Sequence, residues 1–232
     1  MPQHFPTITV EEARNIDSVA VSTLGISSLM LMENAARGIC ECIKRYFSSA
    51  NPIMIACGFG NNGGDGLALA RLLAAEGIQP RTYLIDADRS LSNDSTANRS
   101  LLANCDLPLS IDPQGAEFQT DIQTVNPQSL IVDCLLGTGV LGNPRGPYAD
   151  VIKSINRSEA QVLAVDVPSG LNAQTGSAGS PTVIADHTIT FVGMKIGFET
   201  SSGQQHTGQV SVAPIGLPLS WTMKFLQQHR SQ

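Results

Sequence analysis

Residues 53–77 read "IMIACGFGNNGGDGLALARLLAAEG". A short run rich in β-branched and apolar residues meets a glycine-rich turn, and an apolar stretch of helical length follows. Strand, tight turn and helix in that order form half of a βαβ unit, and the rest of the chain repeats the pattern. Further apolar runs occur at "RTYLID" (81–86), "SLIVDCLLG" (129–137), "QVLAVDV" (161–167), "HTITFVG" (187–193) and "GQVSVAPIG" (208–216). They are continuous rather than alternating, so each strand is expected to be buried on both faces, as in a parallel sheet covered by helices. Helices are expected at 65–76, 92–104 and 147–157. Alternation with right-handed crossovers gives an open α/β fold.

Two further helices precede this region. In "TVEEARNIDSVAVSTLG" (9–25), Thr9 stands three residues before Glu12, the spacing of a capping box, and Gly25 supplies a stop. "SSLMLMENAARGICECIKRYF" (27–47) places Leu31, Ala35, Ile39 and Ile43 on one helical stripe. "TSSGQQHTG" (200–208) reads as a surface loop.

The bulk properties exclude several classes. The chain has 232 residues, which suits one domain over 1–232. Its net charge of −6 and its scattered Lys and Arg give no footprint for nucleic acid or an anionic membrane. Neither a transmembrane run nor a secretory leader is visible. The five cysteines, Cys40, Cys42, Cys57, Cys105 and Cys134, match no zinc or redox spacing. They read mostly as small buried hydrophobes in a reducing, cytoplasmic setting.

In an open parallel sheet, ligands bind outside the carboxyl ends of the strands, so the residues after each strand carry the functional information. After the first lies "GFGNNGGDG" (58–66), after the second Asp86, Ala87 and Asp88. Gly58, Gly60 and Gly63 satisfy G-x-G-x-x-G, and Asp86 stands where a ribose-binding acid would. Asp65 argues against this dinucleotide reading, because a pyrophosphate at the helix start would meet its carboxylate; Asp65 could equally serve as a cap. A P-loop is excluded, since no Gly-Lys-Ser/Thr closes the turn. The third reading is a polar cage. Asn61 and Asn62 offer amides, Gly63 and Gly64 allow close backbone approach, and Asp65 accepts from hydroxyls or amides.

Two other loops bear on that choice. Asp133 ends a buried strand in "VDCLLGTG", where an unpaired carboxylate is costly and a cation is the simplest relief. Asp166 ends another in "VDVPSGL", with Ser169 three residues on. Asn62, Asp133 and Ser169 are oxygen donors of low total charge, a set that suits a hard monovalent ion; ordinary capping and turn roles remain the alternative. Ser169 lacks the G-x-S-x-G setting of a hydrolase nucleophile, and His187 is the sole candidate base for it.

Together these segments strongly resemble the NAD(P)H-hydrate epimerase family, also known as the YjeF N-terminal domain family. The resemblance rests on "LMLMENAARG", "GFGNNGGDGLALARLL", "DCLLGTGVLGNPRGPYADVIKSIN", "VLAVDVPSGLNAQTG", "ADHTITFVGMKIGF" and "GQVSVAPIGLP", in order, and runs from about residue 8 to 218. It implies a Rossmann-like three-layer α/β sandwich with a mainly parallel sheet and extra N-terminal helices. It also implies interconversion of the R and S forms of hydrated NADH and NADPH (NADHX and NADPHX). By resemblance, Asn61, Asn62, Gly63, Gly64 and Asp65 bind substrate, as do Gly137, Thr138, Gly139, Val140, Leu141, Gly142 and Asn143, together with Asp166. A potassium ion is held by residues matching Asn62, Asp133 and Ser169. Phe59 and Ala36 depart from the usual family residues, but neither is at a ligand position. Bacterial members are often fused to an ADP- or ATP-dependent dehydratase, and this chain has no room for one, so a separate dehydratase acting on the S form is the implied partner.

Asp166 is the candidate for the proton role, as a strand-end carboxylate in a cleft. The rival readings are a catalytically silent scaffold module of the same fold and an NAD(P)-dependent oxidoreductase. The intact Asn-Asn-Gly-Gly-Asp and Asp-Val-Pro-Ser-Gly segments argue against the first. The second lacks a Tyr/Lys or His/Arg/Asp hydride-transfer set. The sequence leaves the oligomeric state open, a homodimer included.

Overall fold

A computed structural model describes residues 5–85, 90–139 and 142–230. Asp86, Ala87, Asp88, Val140 and Leu141, named above as candidates, lie outside the described residues.

The elements in chain order are β1 (Thr7–Ile8), α1 (Val10–Ser22), α2 (Ser28–Tyr46), β2 (Ile53–Cys57), α3 (Asn61–Ala75), β3 (Arg81–Ile85), α4 (Asn93–Asn104), β4 (Ser110–Asp112), α5 (Ala116–Asp121), β5 (Leu130–Cys134), α6 (Pro147–Arg157), β6 (Gln161–Val165), β7 (His187–Phe191), β8 (Met194–Lys195), α7 (Ser201–Thr207), β9 (Gln209–Ala213) and α8 (Leu219–Arg230). Seven strands form a wholly parallel sheet in the order β4-β3-β2-β5-β6-β7-β9. β1 and β8 make a separate two-stranded parallel pair.

The period of two along each strand divides the core. Ile53, Ile55 and Cys57 face one side with α1, α2, α3 and α8, while Met54 and Ala56 face the other with Phe118 of α5 and Val151, Ile152 and Ile155 of α6. That is the expected three-layer sandwich. Leu31, Ala35, Ile39 and Ile43 are all buried, as the stripe on α2 requires. The capping box at α1 is complete: Glu12 N donates to Thr9 Oγ1 at 3.0 Å, and Thr9 N donates to Glu12 Oε2 at 2.8 Å. The same Glu12 Oε2 accepts from Arg230 Nη2 at 3.0 Å, and Arg230 Nη2 also donates to the Thr7 carbonyl at 2.8 Å, so α8 is tied to the start of α1.

Residues 200–208 are not a plain loop. Ser201–Thr207 is a short helix, α7, capped by Thr200 Oγ1, which accepts from Gly203 N at 3.0 Å. Its polar sequence carries no apolar stripe, because the cap and its packing beside the 3₁₀ turn at Ile196–Glu199 hold it instead. Four of the five cysteines are buried, Cys105 is exposed, and all are free. Among the described residues, no helix is long and apolar enough to cross a membrane.

Sheet order fixes where a ligand can sit. From β2 the chain winds outward through β3 to β4, then returns to β5 and winds the other way. The loops leaving β2 and β5 therefore diverge and open a crevice between them, at the topological switch point.

Candidate active site

A cleft of about 810 Å³ opens at that switch point. Its walls include Gly60, Asn61, Asn62 and Asp65 after β2, Leu135–Gly139 after β5, Asp166 after β6 and Lys195 of β8, while α1 contributes Arg14 and Asp17.

The segment 61–65 is not a loop but the opening of α3. Its N-cap, Gly60, has no side chain to satisfy the first-turn N–H groups, and Asp65 is no cap, since it stands in the fifth helical position. The glycines here serve packing. A Cβ on Gly63 would stand 1.8 Å from the Gly58 carbonyl oxygen, and one on Gly66 would stand 2.7 Å from Cys57 Sγ. The helix can therefore press its first turn onto the ends of β2 and β5. Gly139 is different: a Cβ there meets nothing within 4 Å.

Asn62, Asp133 and Ser169 converge beneath the cleft. Asp133 is fully buried yet not unpaired, contrary to the sequence argument. Its Oδ1 accepts from Ser169 Oγ at 2.6 Å and Leu135 N at 3.2 Å, and its Oδ2 from Ser169 N at 2.8 Å. Relief comes from the protein's own donors. Burial still pushes the Asp133 carboxyl up to about 6, against the three hydrogen bonds that favour its charge. The orphan is Asn62. Its Nδ2 donates to the Leu136 carbonyl at 3.0 Å, but its Oδ1 is buried with no hydrogen-bond partner among the described residues. An amide oxygen left so, beside Asp133 and the Ser169 hydroxyl, is a position a hard cation would satisfy. No cluster of three or more His, Cys, Asp or Glu able to hold a metal occurs among the described residues, so any ion here would rest on neutral oxygens and one carboxylate.

Asp166 stands at a strained turn. Its φ of 62° is left-handed, and Val167 N donates across it to the Val165 carbonyl at 2.8 Å. Val192, at the end of the neighbouring strand β7, repeats the geometry: φ is 69°, and Gly193 N donates to the Phe191 carbonyl at 2.7 Å. Both have the form of the rare γ-turn, and for a β-branched residue positive φ is a true outlier, costing of order 1–3 kcal/mol. Between the turns lies Lys195, only 2% exposed. Its Nζ reaches Asp166 Oδ1 at 3.0 Å.

The sequence reading missed Lys195, Arg14, Asp17 and Asp94, all of which line the cleft. Arg14 Nη2 donates to the Thr138 carbonyl at 3.0 Å and so props the β5 loop against α1. The acidic groups act on one another. Burial, then the nearby Asp166, Asp17 and Asp94 carboxylates, push Asp65 well above the usual carboxylate range. Desolvation and Asp166 likewise push Asp17 up to about 6, with Lys195 opposing. Asp17 keeps much of its surface open to solvent, which screens its repulsion with Asp166. A carboxyl that holds its proton does not repel an anion, so the objection Asp65 raised against a phosphate-bearing ligand weakens. His187 lies at the opposite end of the sheet, where Nε2 pairs with Ser211 Oγ at 2.8 Å, so it forms no triad with Ser169.

Residues 28–197 match the family model described as "YjeF-related protein N-terminus". The chain belongs to the YjeF-related N-terminal family. An NAD(P)H-hydrate epimerase of Rhodopirellula baltica is 36% identical over 221 residues, covering 95% of this chain and 88% of that protein. One from Levilactobacillus brevis is 37% identical, covering 90% and 94%. A bifunctional NAD(P)H-hydrate repair enzyme of Moorella thermoacetica is 36% identical over 91% of this chain, which spans only 40% of that protein. The crystal structure of yeast ynu0 superposes with a TM-score of 0.76 at 19% identity, covering 95% of this chain and 93% of that one, and so shares this fold.

Proposed function

We propose that this chain is an NAD(P)H-hydrate epimerase that interconverts the R and S forms of NADHX and NADPHX. The observation that carries the reading is the cleft at the β2/β5 switch point, into which Asn61, Asn62, Asp65, Gly137–Gly139 and Asp166 all open, on a chain more than a third identical to proteins of that name. The carbon to be inverted bears a hydroxyl and adjoins the ring nitrogen, so it is a hemiaminal centre. Proton donation lets the hydroxyl leave as water, while the nitrogen lone pair forms an iminium cation. Water then adds from the opposite face and gives up its proton. One carboxyl group suits both halves: Asp166, held by Lys195, gives the departing hydroxyl its proton, the negative charge it then carries stabilises the transient cation, and it takes a proton back from the incoming water.

Asn62 Oδ1, Asp133 and Ser169 Oγ would hold a potassium ion, whose positive charge would balance Asp133 and fix those side chains. The carboxylate and hydroxyl keep their protein donors in that arrangement, and the unpartnered amide oxygen gains its missing contact. The chain acts in a reducing cytoplasm by this reading, and its product feeds a dehydratase, as the bifunctional Moorella relative suggests.

The test is chromatographic: the R/S ratio of purified NADHX is followed with and without protein. Accelerated equilibration is expected, together with a loss of about 10²–10⁴-fold in kcat for Asp166→Asn, the range of a general acid–base group. A wild-type rate equal to the buffer rate overturns the reading.

A further inference from the structure

We propose that Lys195 is the positioning residue of the site: it anchors Asp166 through one oxygen only, so that the other, Oδ2, is the oxygen presented to substrate. The inference rests on the epimerase reading for its chemistry but on geometry for its assignment.

Lys195 has three N–H donors and three acceptors. Nζ lies 3.0 Å from Asp166 Oδ1, 2.8 Å from Thr190 Oγ1 and 3.1 Å from the Phe191 carbonyl. With 2% of its surface exposed and every donor used, the ammonium is spent on holding groups in place. Thr190 Oγ1 in turn donates to the same Asp166 Oδ1 at 3.2 Å, so Oδ1 is held from two sides. Oδ2 points the other way. A Cβ placed on Gly137, which lines the cleft, would be 3.8 Å from Asp166 Oδ2 and 3.4 Å from Asn62 Cβ. The free oxygen thus faces the corner where the loops after β2 and β5 meet.

The two tight turns explain why an anchor is needed. Asp166 and Val192 both sit at positive φ, on adjacent strands β6 and β7, and each turn is closed by one backbone bond. Lys195 bridges them, taking the Phe191 carbonyl of one turn and the Asp166 carboxylate of the other. Strain of this kind persists only where surrounding contacts over-determine it. Without the bridge the Asp166 carboxylate is free to rotate, and Oδ2 loses its defined direction. The other titratable groups facing Asp166 are the Asp17 and Asp65 carboxyls, which carry no positive charge in either protonation state, so neither can replace the anchor.

The test is a double-mutant cycle on Asp166→Asn and Lys195→Met, with Thr190→Val as a milder probe. Lys195→Met keeps the buried chain length and removes only the charge. On epimerisation of NADHX, it is expected to lower kcat by about 10²-fold and to change KM by less than about threefold, because positioning acts on the reacting group rather than on binding. Thr190→Val should fall in the same direction by less. In the Asp166→Asn background the Lys195→Met change should have no further effect on kcat. A residue that merely holds up the fold would lower both backgrounds alike, and that additive result overturns the proposal. If the wild-type protein fails to interconvert the two forms, the epimerase reading falls, and the same four proteins are compared by thermal melting. Strongly non-additive Tm shifts then uphold the anchor, and additive shifts overturn it.

Discussion

Asp65 poses the sharpest question at the scale of single residues. It is an acid at a helix start in a cleft already holding Asp17 and Asp166, and its carboxyl is pushed well above the usual range chiefly by desolvation. The folded protein therefore binds protons there that the unfolded chain releases. The sign follows: stability is greatest below the unfolded carboxylate pKa of about 4 and falls as pH rises through the elevated folded value. Asp17 adds a loss between about 4 and about 6, in the same direction. Replacing Asp65 with Asn removes the cost of ionising it. Calorimetry at pH 7.5 should find Asp65→Asn more stable than wild type by about 3 °C while epimerisation slows, the trade-off typical of functional acids. A lower Tm at that pH would show that Asp65 supports the fold instead.

The elements show why some parts could be read and others not. β2, β5, β6 and β7 were legible because strands buried on both faces must be continuously apolar, and the helices between them followed from alternation. β4, α5 and α7 were not, since each is short and is held by caps and packing rather than by an apolar stripe. The same logic divides the site. Asn62, Asp133, Asp166 and Ser169 lie at the carboxyl ends of strands or in the segments that follow them, where position alone points to function. Lys195 and Asp17 arrive from distant segments, and nothing local marks them; the one available signal was a lone charge, Lys195, in the otherwise apolar run "FVGMKIGF" (191–198). Gly63, read from the sequence as a ligand contact, also lies against the backbone at the end of β2, and Gly66 lies against Cys57 and Cys134 at the ends of β2 and β5. Gly63→Ala should therefore cost about 4 kcal/mol or more in urea denaturation, because backbone rather than a flexible side chain stands in the way. Gly60→Ala, with open space around it and φ of −84°, should cost no more than about 1 kcal/mol. Equal losses at both would mean that α3 does not depend on that close contact.

For the molecule as a whole, the cation proposal makes a prediction that needs no substrate. An ion that binds only the folded state stabilises it by mass action, about 2.7 kcal/mol at a hundredfold excess over Kd. Melting in potassium chloride should exceed melting in tetramethylammonium chloride at equal ionic strength by about 5 °C. Asn62→Ala, which deletes the unpartnered oxygen, should abolish the difference. A potassium effect that survives in that protein would place the ion elsewhere.

The tie between α8 and the start of α1 has a separate consequence. Arg230 bonds both the Thr7 carbonyl and Glu12, so the last described helix ends beside the first described residues. Chain order and spatial order are then partly independent: a short glycine-serine linker could join residue 230 to residue 5, and new ends could be opened at the exposed turn Cys105–Asp106 between α4 and β4. Such a circular permutant is expected to keep the near-ultraviolet circular dichroism of the parent, since every strand keeps its neighbours. A permutant lacking that signal would mean that the α4-to-β4 connection must stay unbroken for the outer strands to find their places.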